Sequence, residues 1–287
     1  MRDTPDLGAV LITGCSSGIG RATALRLHRA GLTVYASARN VNSVVELAAV
    51  GIPTLHLDVT DEASMVDAVS SIESAAGSVG VLINNAGYGL YGAVEQLPMT
   101  EIRRQFETNF FGPVRLVQLV LPGMRRARHG RIVNVSSMGG RTTLPGGAFY
   151  HASKHGLESF SDALRMEAAQ FGIDVVLIEP GPVKTAWNEV AAASLSSASA
   201  PQTAEDPYAA YKAGVVASFG TATRGPVARL ASTPDDIAAV IAKAVMARRP
   251  RTRYLINPLA KLTVGLKAVL PDRAYDATLR RQYGLPG

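Results

Sequence analysis

Two groups in this 287-residue chain have the residue types and spacing to do chemistry. Tyr150-His-Ala-Ser-Lys154 places a phenol and an ammonium four residues apart, on one face of a predicted helix. An unperturbed tyrosine titrates near ~10 and is a poor acid or base at neutral pH. A neighbouring ammonium stabilises the phenolate, so the pair is expected to bring that value down toward the working range. Ser137, at the end of a predicted strand, can hydrogen-bond a substrate oxygen and steady the charge that develops on it. Asn109, within a predicted helix over Thr100 to Arg126, could hold a water that relays protons to Lys154.

The second group lies near the start. Ala9 to Gly20 reads AVLITGCSSGIG, an apolar run breaking into Gly14, Gly18 and Gly20. Glycine is needed where a chain turns with positive φ and where backbone approaches a pyrophosphate without a Cβ in the way. A helix opening near Ile19 would aim free N–H groups and its positive dipole end at that phosphate. An acid roughly 20 positions beyond such glycines usually holds the 2′-hydroxyl of NAD, whereas an arginine accommodates a 2′-phosphate. Here Tyr35-Ala-Ser-Ala-Arg39 carries no acid until Glu46, so Arg39, with Ser37 beside it, favours NADP(H). Asp58 and Val59 could contact the adenine, and Asn84-Asn85-Ala86-Gly87 would pass beside the adenine ribose. Cys15, inside the phosphate loop, reads as a small filler rather than a nucleophile.

These groups need a scaffold, and the chain supplies one. Short β-branched apolar runs predict strands at Val10–Thr13, Thr33–Tyr35, Pro53–Leu57, Val81–Ile83, Arg131–Val135, Asp174–Ile178 and Arg253–Ile256. Helical patterns lie between them, including Ile19 to Ala30, Asp61 to Ala75, Thr100 to Arg126, Ala152 to Phe171 and Pro234 to Ala247. Strands apolar throughout and separated by helices are parallel and buried on both faces. The expected fold is α/β, a Rossmann-type doubly wound sheet of about seven parallel strands with helices on both faces. One domain over 1–287 is expected, with a substrate lid at about 186–225 and a basic C-terminal extension at about 248–287.

Composition narrows the partners. Hydrophobic residues make up 47% and charged residues 18%, which excludes a disordered chain. One cysteine excludes an internal disulfide and suits a reducing cytoplasm. Met1 to Asp6 are too few and too polar for a signal peptide. The charge-free run Ser74 to Val94 contains five glycines and two asparagines and is no membrane span. The net charge of +6 belongs to the tail, because Met246 to Gly287 holds nine Lys or Arg against two Asp. Without zinc spacing or aromatics among those cations, no nucleic acid is expected. Leu259, Leu262, Leu266, Val269 and Leu270 recur at helical spacing there, so the tail could close a pocket, join a dimer or touch lipid as a peripheral contact.

Together these motifs resemble the short-chain dehydrogenase/reductase family. The shared marks are Thr13-Gly14-Cys15-Ser16-Ser17-Gly18-Ile19-Gly20, Asn84-Asn85-Ala86-Gly87, Asn109, Ser136-Ser137, Tyr150-x-x-x-Lys154 and Pro180-Gly181-Pro182-Val183-Lys184-Thr185, in the family's order and spacing. Within the family the chain most resembles the 17β-hydroxysteroid dehydrogenase type 1 and retinol dehydrogenase branch. The resemblance implies a catalytic tetrad of Asn109, Ser137, Tyr150 and Lys154. It also implies cofactor contacts from Gly14, Ser16, Ser17, Gly18, Ile19, Gly20, Asn85, Ala86 and Gly87, and from Tyr150 and Lys154. Pro180, Gly181, Val183 and Thr185 would flank the nicotinamide, with Val183 and Thr185 at its carboxamide. Ser137 is preferred for its thirteen-residue spacing to Tyr150, with Ser136 the alternative.

The expected function is hydride transfer between NADP(H) and a small apolar alcohol or carbonyl compound, steroid- or retinoid-like. A homodimer or homotetramer is the expected assembly, and no metal is expected. The alternative is a non-catalytic dinucleotide sensor on the same fold, which would need no proton donor. After Thr185 the chain shows no branch-specific motif. Trp187, Tyr208, Tyr211 and Phe219 read either as an apolar lid or as core anchors, and His155 as lining a pocket or packing its helix.

Overall fold

The computed structural model describes residues 7–185, 187, 191, 194–195, 206–223 and 230–285. All seven expected strands form, as β1 (Ala9–Ile12), β2 (Val34–Ala38), β3 (Thr54–His56), β4 (Val79–Asn84), β5 (Gly130–Val135), β6 (Ile173–Pro180) and β7 (Arg253–Ile256). They make one parallel sheet in the order β3-β2-β1-β4-β5-β6-β7. The direction of winding reverses between β1 and β4, and at such a reversal the carboxyl ends of the strands leave a crevice for a ligand.

Why the strands are apolar throughout is visible in β1. Val10 and Ile12 enter a core with Ala24 and Leu27 of α1 (Gly18–Arg29) and Ile237, Ile241 and Val245 of α8 (Pro234–Met246). Ala9 and Leu11 point the other way, into a core with Met65, Val69 and Ile72 of α3 (Glu62–Ala76), Leu116 and Val120 of α5 (Gly112–Ala127) and Leu164 of α6 (Ala148–Ala168). Alternate side chains serve opposite faces, so neither parity can be polar. The short α2 (Val45–Ala49) adds Leu47 to the first core.

The expected helix over Thr100 to Arg126 is real but not uniform. It runs as α4 (Met99–Phe106), a π-helical turn at Glu107–Phe111 and then α5. Pro113 has no N–H to give the Asn109 carbonyl four residues back, so the α ladder cannot pass through this point. The widened turn contains Asn109, which is fully buried.

The late segments form α7 (Ala209–Thr223), α9 (Pro258–Val269) and α10 (Asp272–Tyr283). The tail is helical as its spacing suggests. Ala260 and Val264 turn inward, whereas Leu262 and Val269 are exposed. Leu259, Leu266 and Leu270 are half-buried. Of the expected lid, residues 186, 188–190, 192–193, 196–205 and 224–225 lie outside the described residues. Among the described residues no helix is long and apolar enough to cross a membrane.

Candidate active site

Every expected site residue before Thr185 lies on α6, on the π turn, in the first turn of α1 or at the carboxyl end of a strand. The turn after β1 is built by close backbone contacts. Gly14 takes φ +72°, and a β-carbon on Gly20 would stand 2.3 Å from the Gly14 carbonyl oxygen. Asn85 Nδ2 ties this turn to β4, donating to the Thr13 and Gly14 carbonyls at 2.9 and 3.1 Å. Thr13 Oγ1 accepts from the amides of Asn85 and Ala86, both at 3.0 Å. Ser17 caps α1 without a side-chain bond, and the first turn holds no acid. No side chain of the helix's own spends these amides, which is what an anion site at a helix N-terminus requires. Cys15 is fully buried against the Ile12 carbonyl, and burial pushes its thiol up to about 12, which suits a filler.

Arg39 follows β2 and is exposed. Glu46 is paired with Arg21 instead. Ser37 differs from expectation. It is fully buried and its hydroxyl donates to the Ile12 carbonyl at 2.9 Å, so it holds β2 to β1 and has nothing to offer a phosphate. Asp58 is half-buried and accepts from the Thr60 amide and hydroxyl, while Val59 is buried.

Beyond β4, Asn109 clamps the backbone of Tyr88. Its Oδ1 accepts from the Tyr88 amide at 3.1 Å, and its Nδ2 donates to the Tyr88 carbonyl at 2.9 Å and to Ser153 Oγ at 3.2 Å. A β-carbon on Gly87 would stand 3.1 Å from Asn109 Oδ1 and 3.7 Å from Lys154 Nζ, so the three converge. The amide side chain is thus largely committed to the chain itself rather than to a relay water.

α6 begins at Ala148, ahead of the expected Ala152, so Tyr150 and Lys154 both sit inside it. The two candidate serines, Ser137 and Ser136, differ in surroundings. The Ser137 hydroxyl bonds Tyr150, whereas Ser136 Oγ is buried against Gly140 without a partner. Tyr150 is 7% exposed, under Tyr91 and Trp187 with ring centroids 5.9 and 5.2 Å away. Burial pushes its phenol up to about 12, against the Ser137 bond. Lys154 Nζ donates to the Val135 carbonyl at 2.9 Å, and burial brings it down to about 8, opposed by Glu158. The expected lowering of the phenol is therefore not what this geometry produces. The phenol's direct partner is a hydroxyl, and desolvation of the phenolate outweighs it.

The loop after β6 returns over the phosphate turn. Pro180 ends the strand, the Gly181 amide donates to Ile256 at 3.2 Å, and Val183 bridges Ser232. Thr185 Cγ2 lies 3.5 Å from where a β-carbon on Gly18 would stand. Trp187, Tyr211 and Phe219 gather with Tyr91, Tyr150 and Val215, and Leu279, Tyr283 and Leu285 at the chain's end join them. Tyr208 does not, since its hydroxyl donates to Glu95 at 2.6 Å. His155 is exposed and bonded to its own helix at the His151 carbonyl. The tail thus helps cover the phenol through α10.

Two neighbours of Tyr150 were not singled out from sequence. His151 is buried with Nδ1 3.1 Å from the Gly139 carbonyl, and burial brings its imidazole down to about 4. Its place beside Tyr150 was the available signal. Tyr91 had none, because only the tertiary fold stacks it there.

Comparison with known proteins decides the family. The short chain dehydrogenase family model matches residues 8–196. The chain belongs to the short-chain dehydrogenase/reductase family. It is 36% identical to bovine retinol dehydrogenase 8, over 95% of this chain and 88% of that protein. It is also 36% identical to a 3-ketodihydrosphingosine reductase of Bacteroides thetaiotaomicron, over 96% and 98% of the two chains. The expected nearness to the retinol dehydrogenase branch is borne out by these relatives. Among solved structures, a short-chain dehydrogenase from Streptomyces avermitilis matches with a TM-score of 0.77 and 32% identity over 96% of both chains. A metagenomic short-chain oxidoreductase in complex with NADP matches with a TM-score of 0.66 and 25% identity, over 87% of this chain and 96% of that one. The chain is an oxidoreductase of this family.

Proposed function

We propose that this oxidoreductase transfers a hydride between NADP(H) and an apolar secondary alcohol or ketone of steroid- or retinoid-like size, with Tyr150 as the general acid and base. The observation that carries the reading is one buried phenol with the Ser137 hydroxyl and an apolar aromatic cluster around it. When bound, NADP(H) supplies or accepts the hydride. The turn after β1 fits its pyrophosphate, since close backbone packing and uncommitted α1 amides form a cradle that added β-carbons would fill. Arg39 fits a 2′-phosphate, and among the described residues no carboxylate pairs with it. The solved relative holding NADP supports the same choice.

Gly14, Ser16, Ser17, Gly18, Ile19 and Gly20 would hold the phosphates, and Asp58, Val59, Asn85, Ala86 and Gly87 the adenosine side. Pro180, Gly181, Val183 and Thr185 would face the nicotinamide. In reduction, Tyr150 donates its proton to the carbonyl oxygen while Ser137 hydrogen-bonds that oxygen and orients it. A phenol held neutral by burial is already the acid, so the geometry supports reduction at neutral pH. Lys154 steadies the phenolate that results, and Asn109 fixes the Tyr88 backbone beside it. Tyr91, Trp187, Tyr211 and Phe219 give the substrate an apolar wall that excludes water. The test is a panel of steroid, retinoid and aliphatic ketones with NADPH and NADH, read by loss of nicotinamide absorbance. Turnover of apolar ketones is expected, and turnover of sugars or charged acids alone overturns the reading.

A further inference from the structure

A second acid–base group sits behind the proposed catalytic helix face. Glu158 lies one turn after Lys154 on α6, and Glu179 is the penultimate residue of β6, just before the loop that leads to Thr185. The Glu179 side chain is 0% exposed and that of Glu158 7%. Arg253, on β7, presents its single Nε–H to both. Glu158 Oε2 stands 3.1 Å from Nε and Glu179 Oε1 stands 3.0 Å, but only the first has hydrogen-bond geometry. The remaining charges around the pair are accounted for. Arg253 Nη2 donates to Asp162 at 2.6 Å, Asp162 also takes Arg165, and Arg141 reaches Glu179 Oε2 at 3.4 Å. Lys154 Nζ donates to the Val135 carbonyl, and Ser136 Oγ and Glu158 Cγ both pack against Gly140.

Glu158 Oε1 and Glu179 Oε1 are buried and have no donor. Two carboxylates cannot satisfy each other, because each only accepts. A carboxylic acid beside a carboxylate can, since one O–H gives both oxygens a partner. Like charges at one buried site cannot both persist cheaply, which favours the same arrangement.

We propose that Glu158 and Glu179 share one proton, held as Glu179 O–H donating to the Glu158 carboxylate, and that this pair is a positioning device for Lys154. The charge left on Glu158 holds the lysine as an ammonium, and the shared hydrogen bond ties α6 to the loop after β6. The proton comes from solvent and leaves to solvent, and no other bond changes. Burial and the Glu158 charge push the Glu179 carboxyl up, in line with this arrangement, and Glu158 opposes the fall of Lys154. The link to Lys154 rests on the function proposed above, whereas the shared proton does not.

Infrared spectra of the cofactor-free protein from about pH 5 to about pH 9 test the proton, because ordinary glutamates are ionised above about pH 5. A protonated carboxyl band persisting to near-neutral pH is expected in the wild type, and its absence overturns the proposal without recourse to any variant. The band should vanish in Glu179→Gln and in Glu158→Gln, and survival in both would assign it elsewhere. NADPH binding against pH then tests the role of the pair. Glu158→Gln should move the alkaline loss of binding down by about one pH unit, a tenfold loss at a fixed alkaline pH. Glu179→Gln should not move it down. An unshifted limb in Glu158→Gln overturns the positioning role, since a merely structural loss would lower affinity evenly. If the band behaves as stated but the wild type binds no dinucleotide, the shared proton stands and the proposed function falls.

Discussion

Trp187 lies on Tyr150, with ring centroids 5.2 Å apart and planes at 58°. Tyr91 lies near both, 5.9 Å from each. Among the described residues, the Tyr150 hydroxyl is bonded by Ser137, and the rings of Tyr91, His151 and Trp187 pack around it. This arrangement makes the wall as testable as the acid. Trp187→Ala should raise KM for apolar ketones by roughly tenfold or more, since burying one large apolar side chain is worth about 1.5–3 kcal/mol. Steady-state kinetics across the ketone panel checks this, and an unchanged KM would remove Trp187 from the substrate wall.

Arg39 sets the expected cofactor preference. A charge-assisted contact of its kind contributes about 1.5–3 kcal/mol, or roughly ten- to a hundredfold in affinity. NADPH should bind tighter than NADH by that factor, and Arg39→Ala should erase the difference while leaving NADH binding unchanged. Calorimetric titration of both dinucleotides decides it. Equal wild-type affinities would reject the assignment.

Tyr150→Phe deletes one oxygen and keeps the ring that packs on Tyr91 and Trp187. Loss of a general acid costs on the order of 10²–10⁴ in rate. Turnover should fall by that range, with NADPH affinity held within about twofold and the melting temperature close to wild type. A variant retaining most of its turnover would show that the proton comes from another group. Ser137→Ala should cost less, since it removes an orienting bond and not the proton.

The buried phenol also makes a pH prediction. Unfolded, Tyr150 ionises near ~10, whereas in the folded protein burial holds it neutral to about 12. A raised pKa means the folded state keeps a proton that the unfolded chain has lost. The stabilisation is complete below the unfolded value and declines as pH rises toward 12. Difference absorbance between wild type and Tyr150→Phe should show no phenolate from this residue at pH near ~10. Denaturation midpoints should fall less steeply above that pH in the variant. A phenolate seen near neutral pH would mean that Lys154 governs the group after all.

Much of this protein was legible from its residues alone. The seven strands follow from apolar runs, because a parallel strand covered on both faces admits no polar parity. The phosphate turn follows from Gly14, Gly18 and Gly20, because only glycine tolerates its dihedral angles and close approaches. Tyr150 and Lys154 were placed on one helical face by spacing. The misplaced readings share a cause. Ser37 looked like a phosphate ligand until β2 paired with β1 and turned its hydroxyl to Ile12. The helical spacing of the tail leucines left open which face docks, and α9 docks through Ala260 and Val264. The direction in which Tyr150 titrates is set by desolvation, which sums over Tyr91, Trp187 and other neighbours far away in sequence, whereas local spacing shows only the lysine. Glu158 and Glu179 stand 21 residues apart on different elements, and only the packing of α6 on β6 brings them to one arginine. Periodicity and turn chemistry are local and can be read along the chain. Burial, and the charge states that burial imposes, are properties of the assembled neighbourhood and exist only in the folded molecule.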